Sequence, residues 1–211
     1  MRTLQRESPF YLAGLIILTL GIGLTIQSQL GTSPFDALLV GLYRTFGLTI
    51  GSWEVVVGLS MILGNALAKR SRPEYSALIT SFITGAGIDG WVYILDGQVE
   101  PDTLFGQSVC FAAGLGCTAI GVATYLQSRI APNPMDRSMM VITEITGWSV
   151  TYSRALISII LVFLAFLCSG TIGPGTLINA LFSGMLISYL LPYVKKLKQK
   201  IMLRKQAAAH S

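Results

Sequence analysis

Six long apolar runs constrain this chain more than any other feature of its sequence. Each has roughly 20 residues, enough for one helix to cross a hydrocarbon core of about 30 Å. In lipid the backbone groups must be satisfied within the segment, which favours helices. We therefore predict an all-α, polytopic membrane protein. The predicted spans are residues 9–28, 52–68, 75–95, 104–127, 152–168 and 175–194.

Composition agrees with a chain that lies mostly in lipid. Only 12% of the residues are charged, about half the share of an average soluble domain. The net charge is +5, but the basic residues lie between the apolar runs rather than along one polar face, so we predict no nucleic-acid partner. The expected partner is the lipid bilayer.

Two further segments, 34–46 and 134–146, are predicted as helices too short to cross. If they do not cross, every basic residue except Arg44 and Arg154 lies on one side, which the positive-inside rule assigns to the cytoplasm. We therefore predict six crossings, two short re-entrant or interfacial helices and cytoplasmic N- and C-termini. Residues 196–211 are then a basic cytoplasmic tail. The basic residues at this end are Lys195, Lys196, Lys198, Lys200, Arg204 and Lys205.

The sequence also repeats itself at an interval of 100 residues. GIGLTIQSQLGTSPFD, from Gly21 to Asp36, aligns without a gap on GVATYLQSRIAPNPMD, from Gly121 to Asp136. A weaker match pairs ITSFITG, starting at Ile79, with INALFSG at an interval of 99 residues. We predict two repeats, 1–100 and 101–195.

Each predicted repeat has three crossings, so the second must enter the membrane from the opposite face. Inverted repeats are typical of transporters, whose substrate sites lie near the midplane between the halves. We therefore expect a transporter or channel for an unidentified small solute, with the coupling ion and oligomeric state left open. The alternative is a membrane scaffold or regulatory partner of another enzyme system, which would have a dry interface without a cavity.

The motifs also resemble a known family. The pattern GxxxxxQSxLGTSPFDALLxGL, followed by GLTIGSWEVVVG and SFITGAGIDG, is similar to the YczE/YyaS/YitT group of bacterial integral membrane proteins, which is largely uncharacterised. The resemblance covers most of the chain and implies the membrane class and no substrate. We expect a location in the bacterial cytoplasmic (inner) membrane.

The repeated PxD motif predicts where each short helix begins. Ser33 and Asn133 are good N-cap residues, and a proline follows each at the first helical position. Asp36 and Asp136 fall at the third position, where a carboxylate reaches back toward the cap. These residues either only cap a helix or also form a solute, cation or proton site. Both interpretations stay open.

Further candidate site residues are polar side chains near the helix breaks. They either bind solute or form hydrogen bonds between helices. Asp89 lies within a predicted crossing, so it faces a wet cavity or lies near the outer interface. The remaining candidates are Gln27, Ser28, Gln127 and Ser128. We expect all of these to line one site with Ser33, Asn133 and the two repeated aspartates.

Two charged positions exchange sign between the repeats. Arg44 corresponds to Glu144, and Glu54 corresponds to Arg154. We predict an ion pair within each repeat, Arg44 with Glu54 and Glu144 with Arg154.

The sequence offers little support for an enzyme. The only histidine, His210, lies in an AAAHS tail, and the three cysteines lie in apolar runs without metal-ligand spacing. We expect no catalytic residues, metal site or cofactor, and we rank an intramembrane enzyme low.

Overall fold

Eight α-helices make up the described part of the chain. The computed structural model describes residues 2–128 and 130–209, with side chains for residues 7–128 and 130–201. The expectations for Arg129 and His210, and for the side chains of Arg2, Arg6, Arg204 and Lys205, lie outside these residues. The helices are α1 Arg2–Gln27, α2 Pro34–Phe46, α3 Ile50–Lys69, α4 Ser76–Leu95, α5 Leu104–Leu126, α6 Pro134–Thr146, α7 Val150–Leu167 and α8 Pro174–Ala209.

The predicted set of helices is confirmed. Within the described residues, six helices are long and apolar enough to cross a membrane, and α2 and α6 have the bounds predicted for the two short helices. The terminal helices are longer than the predicted spans. Residues 196–209, predicted as a separate tail, continue α8 as helix.

The centre of the fold is a close crossing of α1 and α5, made by four glycines. A Cβ atom at Gly21 would lie 2.4 Å from the backbone nitrogen of Thr118 and 2.7 Å from the carbonyl oxygen of Gly114. A Cβ atom at Gly14 would lie 2.9 Å from the carbonyl oxygen of Gly121. Gly14 thus faces Gly121 while Gly21 faces Gly114, so the two helices run antiparallel. Such contact between backbones is possible only where the side chain is absent.

The other helices surround this crossing in corresponding ways. The fourth helix of each half packs on its own first helix, α4 on α1 and α8 on α5. Each short helix packs mainly on the other half, α2 on α7 and α6 on α3. One pair differs, because α3 packs closely on α4 whereas α7 and α8 make almost no contact.

The N-terminal part of α2 is buried and its C-terminal part is exposed. Every residue from Pro34 to Gly41 is buried, whereas the residues from Tyr43 onward are exposed. In α6 the buried residues also lie toward the start, at Pro134, Ser138, Met139 and Val141. The beginnings of both short helices therefore lie inside the protein.

We predict that Gly21→Ala destabilises the protein, because the new methyl group would meet backbone atoms that side-chain rotation cannot move. The expected loss is about 1–3 kcal/mol, the usual cost of overpacking. Gly116→Ala is the matched control, since a Cβ atom there meets nothing within 4 Å and alanine favours a helix by up to about 1 kcal/mol. Thermal unfolding in detergent measures both. Equal midpoints for the two variants would contradict the close crossing.

Candidate functional site

The short helices begin with the N-terminal caps that the PxD motif predicts. The Ser33 hydroxyl accepts a hydrogen bond from the Asp36 backbone N–H at 3.2 Å and donates one to the Asp36 carboxylate at 2.5 Å. The Asn133 side-chain oxygen accepts from the backbone N–H of Met135 at 2.9 Å. The predicted caps are therefore confirmed. The Asp136 carboxylate instead accepts a hydrogen bond from the Tyr125 hydroxyl, at 2.6 Å.

Both helix beginnings line one partly open cavity of about 100 Å³. Much of its wall consists of residues that occupy equivalent positions in the two repeats. The matched pairs are Leu18 with Thr118, Ile22 with Val122, Ser33 with Asn133, Phe35 with Met135, Asp36 with Asp136, Glu54 with Arg154, and Thr84 with Ser183. The cavity therefore lies where the two halves meet.

Three carboxylates and one guanidinium group line this cavity. They belong to Asp36 on α2, Glu54 on α3, Asp136 on α6 and Arg154 on α7. Glu54 is 1% exposed, and its Oε1 atom has no hydrogen-bond partner among the described residues. Because a buried polar group without a partner is costly, Glu54 is the most unusual side chain of the site.

Arg154 lies at the boundary between the cavity and a groove that separates α7 from α8. Its Nη2 atom donates a hydrogen bond to the Ser183 hydroxyl on α8 at 2.9 Å. Arg154, Ser158 and Ala180 line both the cavity and the groove, whose volume is about 750 Å³. The cavity is thus bounded on this side by these three residues rather than by packed helices.

The corresponding boundary between α3 and α4 is closed. A Cβ atom at Gly51 would lie 2.1 Å from the carbonyl oxygen of Gly85. The Asp89 carboxylate accepts a hydrogen bond from the Gly51 backbone N–H at 2.7 Å. Asp89 therefore satisfies a free amide at the beginning of α3 and does not line the cavity.

Four other expected site residues are also absent from the cavity wall. The hydroxyls of Ser28 and Ser128 donate to the carbonyl oxygens of Thr25 and Tyr125, at 2.7 and 2.5 Å, and so close the ends of α1 and α5. Gln27 and Gln127 do not line the cavity either. The expected grouping of all nine polar residues at one site is therefore reduced to Ser33, Asp36, Asn133 and Asp136.

The predicted ion pairs within each repeat are wrong. Among the described side chains, the Glu144 carboxylate pairs with Lys69 at 2.5 Å and with Arg137 at 3.4 Å. Arg44 donates to the carbonyl oxygen of Ser169 at 3.3 Å. The physical reason is that each short helix packs mainly on the other half. The end of α2 therefore lies at the end of α7, and the end of α6 lies at the end of α3. Glu54 and Arg154 instead lie in the cavity wall.

The charge network beside α6 perturbs two ionisable groups outside the spans. A hydrogen bond from Lys69 lowers the pKa of Glu144 below its usual range, assisted by Arg137. Arg137 also donates to Glu74 at 2.5 Å, which raises the pKa of its guanidinium group. Both shifts favour the charged forms, so this network ties α6 to the ends of α3 and α4.

Several cavity residues could not be recognised from single motifs. Thr84 and Ser183 are equivalent in the weak ITSFITG and INALFSG repeat, which was therefore the signal that could have identified them. Tyr125 corresponds to Thr25 and is buried, so the repeat gave no indication of its role. Its position depends on the crossing of α1 and α5.

The matching family model is described as a family of unknown function, DUF6198, and it covers residues 5–192. The chain belongs to this family. It is 42% identical to the uncharacterised protein YyaS of Bacillus subtilis over 89% of the chain and 93% of that protein. It is 35% identical to the uncharacterised membrane protein YczE of the same organism, over 94% of the chain and 92% of that protein. The predicted resemblance to the YczE/YyaS group is thus confirmed.

A more distant relative comes from Haemophilus influenzae. It is an uncharacterised protein, 25% identical over 88% of the chain and 84% of that protein. No solved structure matches the chain significantly. Together, the apolar helices and the membrane relative place this DUF6198 chain among membrane proteins.

We predict that Tyr125→Phe costs more stability than Tyr11→Phe. Both tyrosines are buried, and each donates or shares one hydrogen bond at 2.6 Å, Tyr125 with Asp136 and Tyr11 with Thr80. A bond to a carboxylate contributes about 1.5–3 kcal/mol, against about 0.5–1.5 kcal/mol for a neutral pair. Thermal unfolding in detergent compares the two. If Tyr11→Phe is the more damaging change, Asp136 does not depend on this hydroxyl as described.

Proposed function

We propose that this protein is a transporter for a small solute, built from two inverted repeats and working by alternating access. The observation that carries the proposal is the cavity between the halves, whose wall is built from equivalent residues of both repeats. Leu18 and Thr84 line it from near the middle of their spans, Glu7–Gln27 and Ser76–Leu95. A cavity at such depth that is lined by several polar groups is the usual place for a transporter's substrate.

The packing of the helices supports the inversion. The equivalent helices α1 and α5 run antiparallel, as an inverted repeat requires. Most of the remaining contacts correspond between the two halves, with α1–α4 matching α5–α8 and α2–α7 matching α6–α3, while α3–α4 has no counterpart in α7–α8. The short helices are then re-entrant, because their beginnings reach the cavity while their ends are exposed.

The ends of several helices support the proposed orientation. Lys198 near the end of α8 donates to the Glu7 carboxylate at the start of α1 and to the Gln127 carbonyl oxygen at the end of α5. One side of the protein therefore carries the N-terminal region and the basic C-terminal helix, and the six-crossing topology adds Lys69, Arg70 and Arg72. The positive-inside rule makes this the cytoplasmic side of the bacterial inner membrane.

The difference between the two halves corresponds to one state of a transport cycle. Contact between Gly51 and Gly85 closes α3 against α4, whereas the equivalent Thr151 and Gly184 line the open groove. In the proposed orientation α7 begins at the cytoplasm, so this state faces inward. In the opposite state, α7 would be closed against α8 and α3 would be separated from α4, which would expose the cavity to the outside.

A scaffold or regulatory role is the alternative, and it would require a dry interface. The cavity has three carboxylates, and one Glu54 oxygen has no hydrogen-bond partner among the residues that the structure describes, which favours transport over that role. A channel would keep the cavity open to both sides at once. The three roles therefore differ in when the cavity is accessible.

We predict that cysteines at Thr151 and Gly184 form a disulfide during the transport cycle. The test uses a background in which Cys110, Cys117 and Cys168 are replaced by serine, and the matched control pairs Tyr152→Cys with Gly184→Cys, since Tyr152 is 70% exposed and does not line the groove. Cross-linking under mild oxidation is expected for the first pair only.

A reporter cysteine then distinguishes the three roles. Thr84→Cys is treated with a membrane-impermeant thiol reagent in right-side-out and inside-out vesicles. A transporter allows labelling from both faces before cross-linking, and from the outer face alone after the α7–α8 disulfide forms. Labelling from both faces after cross-linking indicates a channel, and no labelling from either face indicates a scaffold.

A further inference from the structure

The charges around the cavity leave about one negative charge without compensation. Each short helix contributes roughly half a positive charge at its N-terminus, and Arg154 contributes a full one. Together these offset two of the three carboxylates. Asp36 and Asp136 lie in the first turns of α2 and α6, where the helix ends stabilise them directly. The remaining carboxylate belongs to Glu54.

Within the described part of the chain, Glu54 has no basic side chain that pairs with it. Its carboxylate forms no ion pair within 4.0 Å among the described side chains, and its Oε1 atom has no hydrogen-bond partner there. Arg154 donates its hydrogen bond to Ser183 instead. Glu54 is 1% exposed and lines the cavity, so its carboxylate group borders the space that a ligand would occupy.

The rest of the wall fits the carbon part of a small organic molecule. Apolar side chains come from both halves, and Phe35 and Tyr125 add aromatic rings that favour a bound cation. The described residues contain no group of three or more His, Cys, Asp or Glu side chains that could hold a metal ion. The apolar lining comprises Leu18, Ile22, Phe35, Val122, Met135 and Ile187.

We propose that the cavity binds a small organic ammonium ion and that Glu54 is the carboxylate that pairs with it. That the bound ion is transported rests on the proposed function, whereas the choice of an ammonium ion rests on the cavity alone. In the empty cavity an unpaired, buried carboxylate holds a proton, because burying the isolated charge is costly. The arriving cation takes the place of that proton, so one proton leaves Glu54 for each ammonium ion bound.

The other charged groups in the cavity wall already have hydrogen-bond partners, so only Glu54 exchanges a proton for the cation. Asp36 on α2 is held by Ser33, Asp136 on α6 is held by Tyr125, and Arg154 on α7 is held by Ser183. The lining residues from α1, α4 and α8 are not titratable, and Tyr125 on α5 is engaged as a donor. A proton-for-cation exchange at Glu54 would couple solute movement to a proton gradient.

The test is binding of propylammonium to the purified full-length protein in detergent, with propanol and propionate as probes of equal chain length. Isothermal titration calorimetry in buffers of different ionisation enthalpy reports both affinity and the number of protons released. Wild type is expected to bind propylammonium in preference to the other two and to release about one proton. Comparable binding of propanol or propionate overturns the ammonium assignment.

The decisive variant is Glu54→Gln, which keeps the shape of the side chain and removes its charge. Loss of one charge-assisted contact is expected to weaken propylammonium binding about 10- to 100-fold and to abolish proton release. The matched control is Glu144→Gln, since Glu144 lies outside the cavity in the network with Lys69 and Arg137. Wild-type binding by the Glu54→Gln protein overturns the proposal.

A second variant covers the case in which Glu54→Gln does not fold. Glu54→Asp keeps the carboxylate but withdraws it by one methylene group, so weaker binding with unchanged proton release is expected. Binding by this variant without proton release contradicts the exchange. If ammonium binds and Thr84→Cys is never labelled, transport fails and the binding site stands. If the reporter alternates and ammonium does not bind, only this inference fails.

Discussion

The contact between the backbones of α1 and α5 is the constraint on which the rest of this structure depends. Water does not drive apolar helices together in a bilayer, so their association depends on close packing and polar contacts. Four glycines supply the close packing. Gly14 on α1 faces Gly121 on α5, and Gly21 on α1 faces Gly114 on α5. In each half the fourth helix packs on one member of this pair, α4 on α1 and α8 on α5. The two halves therefore meet along an interface that both repeats encode.

Each short helix packs on the other half because its polar ends find hydrogen-bond partners there. A helix N-terminus leaves several N–H groups without internal partners, and lipid offers none. Ser33 and Asn133 satisfy part of this demand, and the beginnings of both helices line the cavity. At the opposite ends, Arg44 bonds to a carbonyl oxygen beyond α7, and Glu144 pairs with Lys69 at the end of α3. The charges of opposite sign thus perform the same task, which is to tie each short helix to the other half.

The structural asymmetry between the two halves arises where their sequences differ. Gly51 and Asp89 close α3 on α4, whereas the equivalent positions are Thr151 and Ser188, which line the open groove. Glu54 is buried in the closed half, and Arg154 bridges toward Ser183 in the open half. One architecture therefore contains two different boundaries around one cavity, as the proposed transport cycle requires. The uncompensated charge at Glu54 would make that cycle sensitive to the protonation and the cation content of the cavity.

The sequence by itself determined the membrane class, the helices and the family, because apolar length and capping are local properties. The PxD motif placed the beginnings of α2 and α6 correctly, since Ser33 and Asn133 act on amides two or three residues away. Only the tertiary structure decided which end of each short helix is deep and which polar residues share a cavity. The side chains of Ser28, Ser128 and Asp89 form hydrogen bonds with backbone groups. Glu54 and Arg154 are each separated from the predicted ion-pair partner because the short helices pack across the two halves. Those outcomes depend on contacts between residues far apart in the chain, so spacing within one repeat could not reveal them.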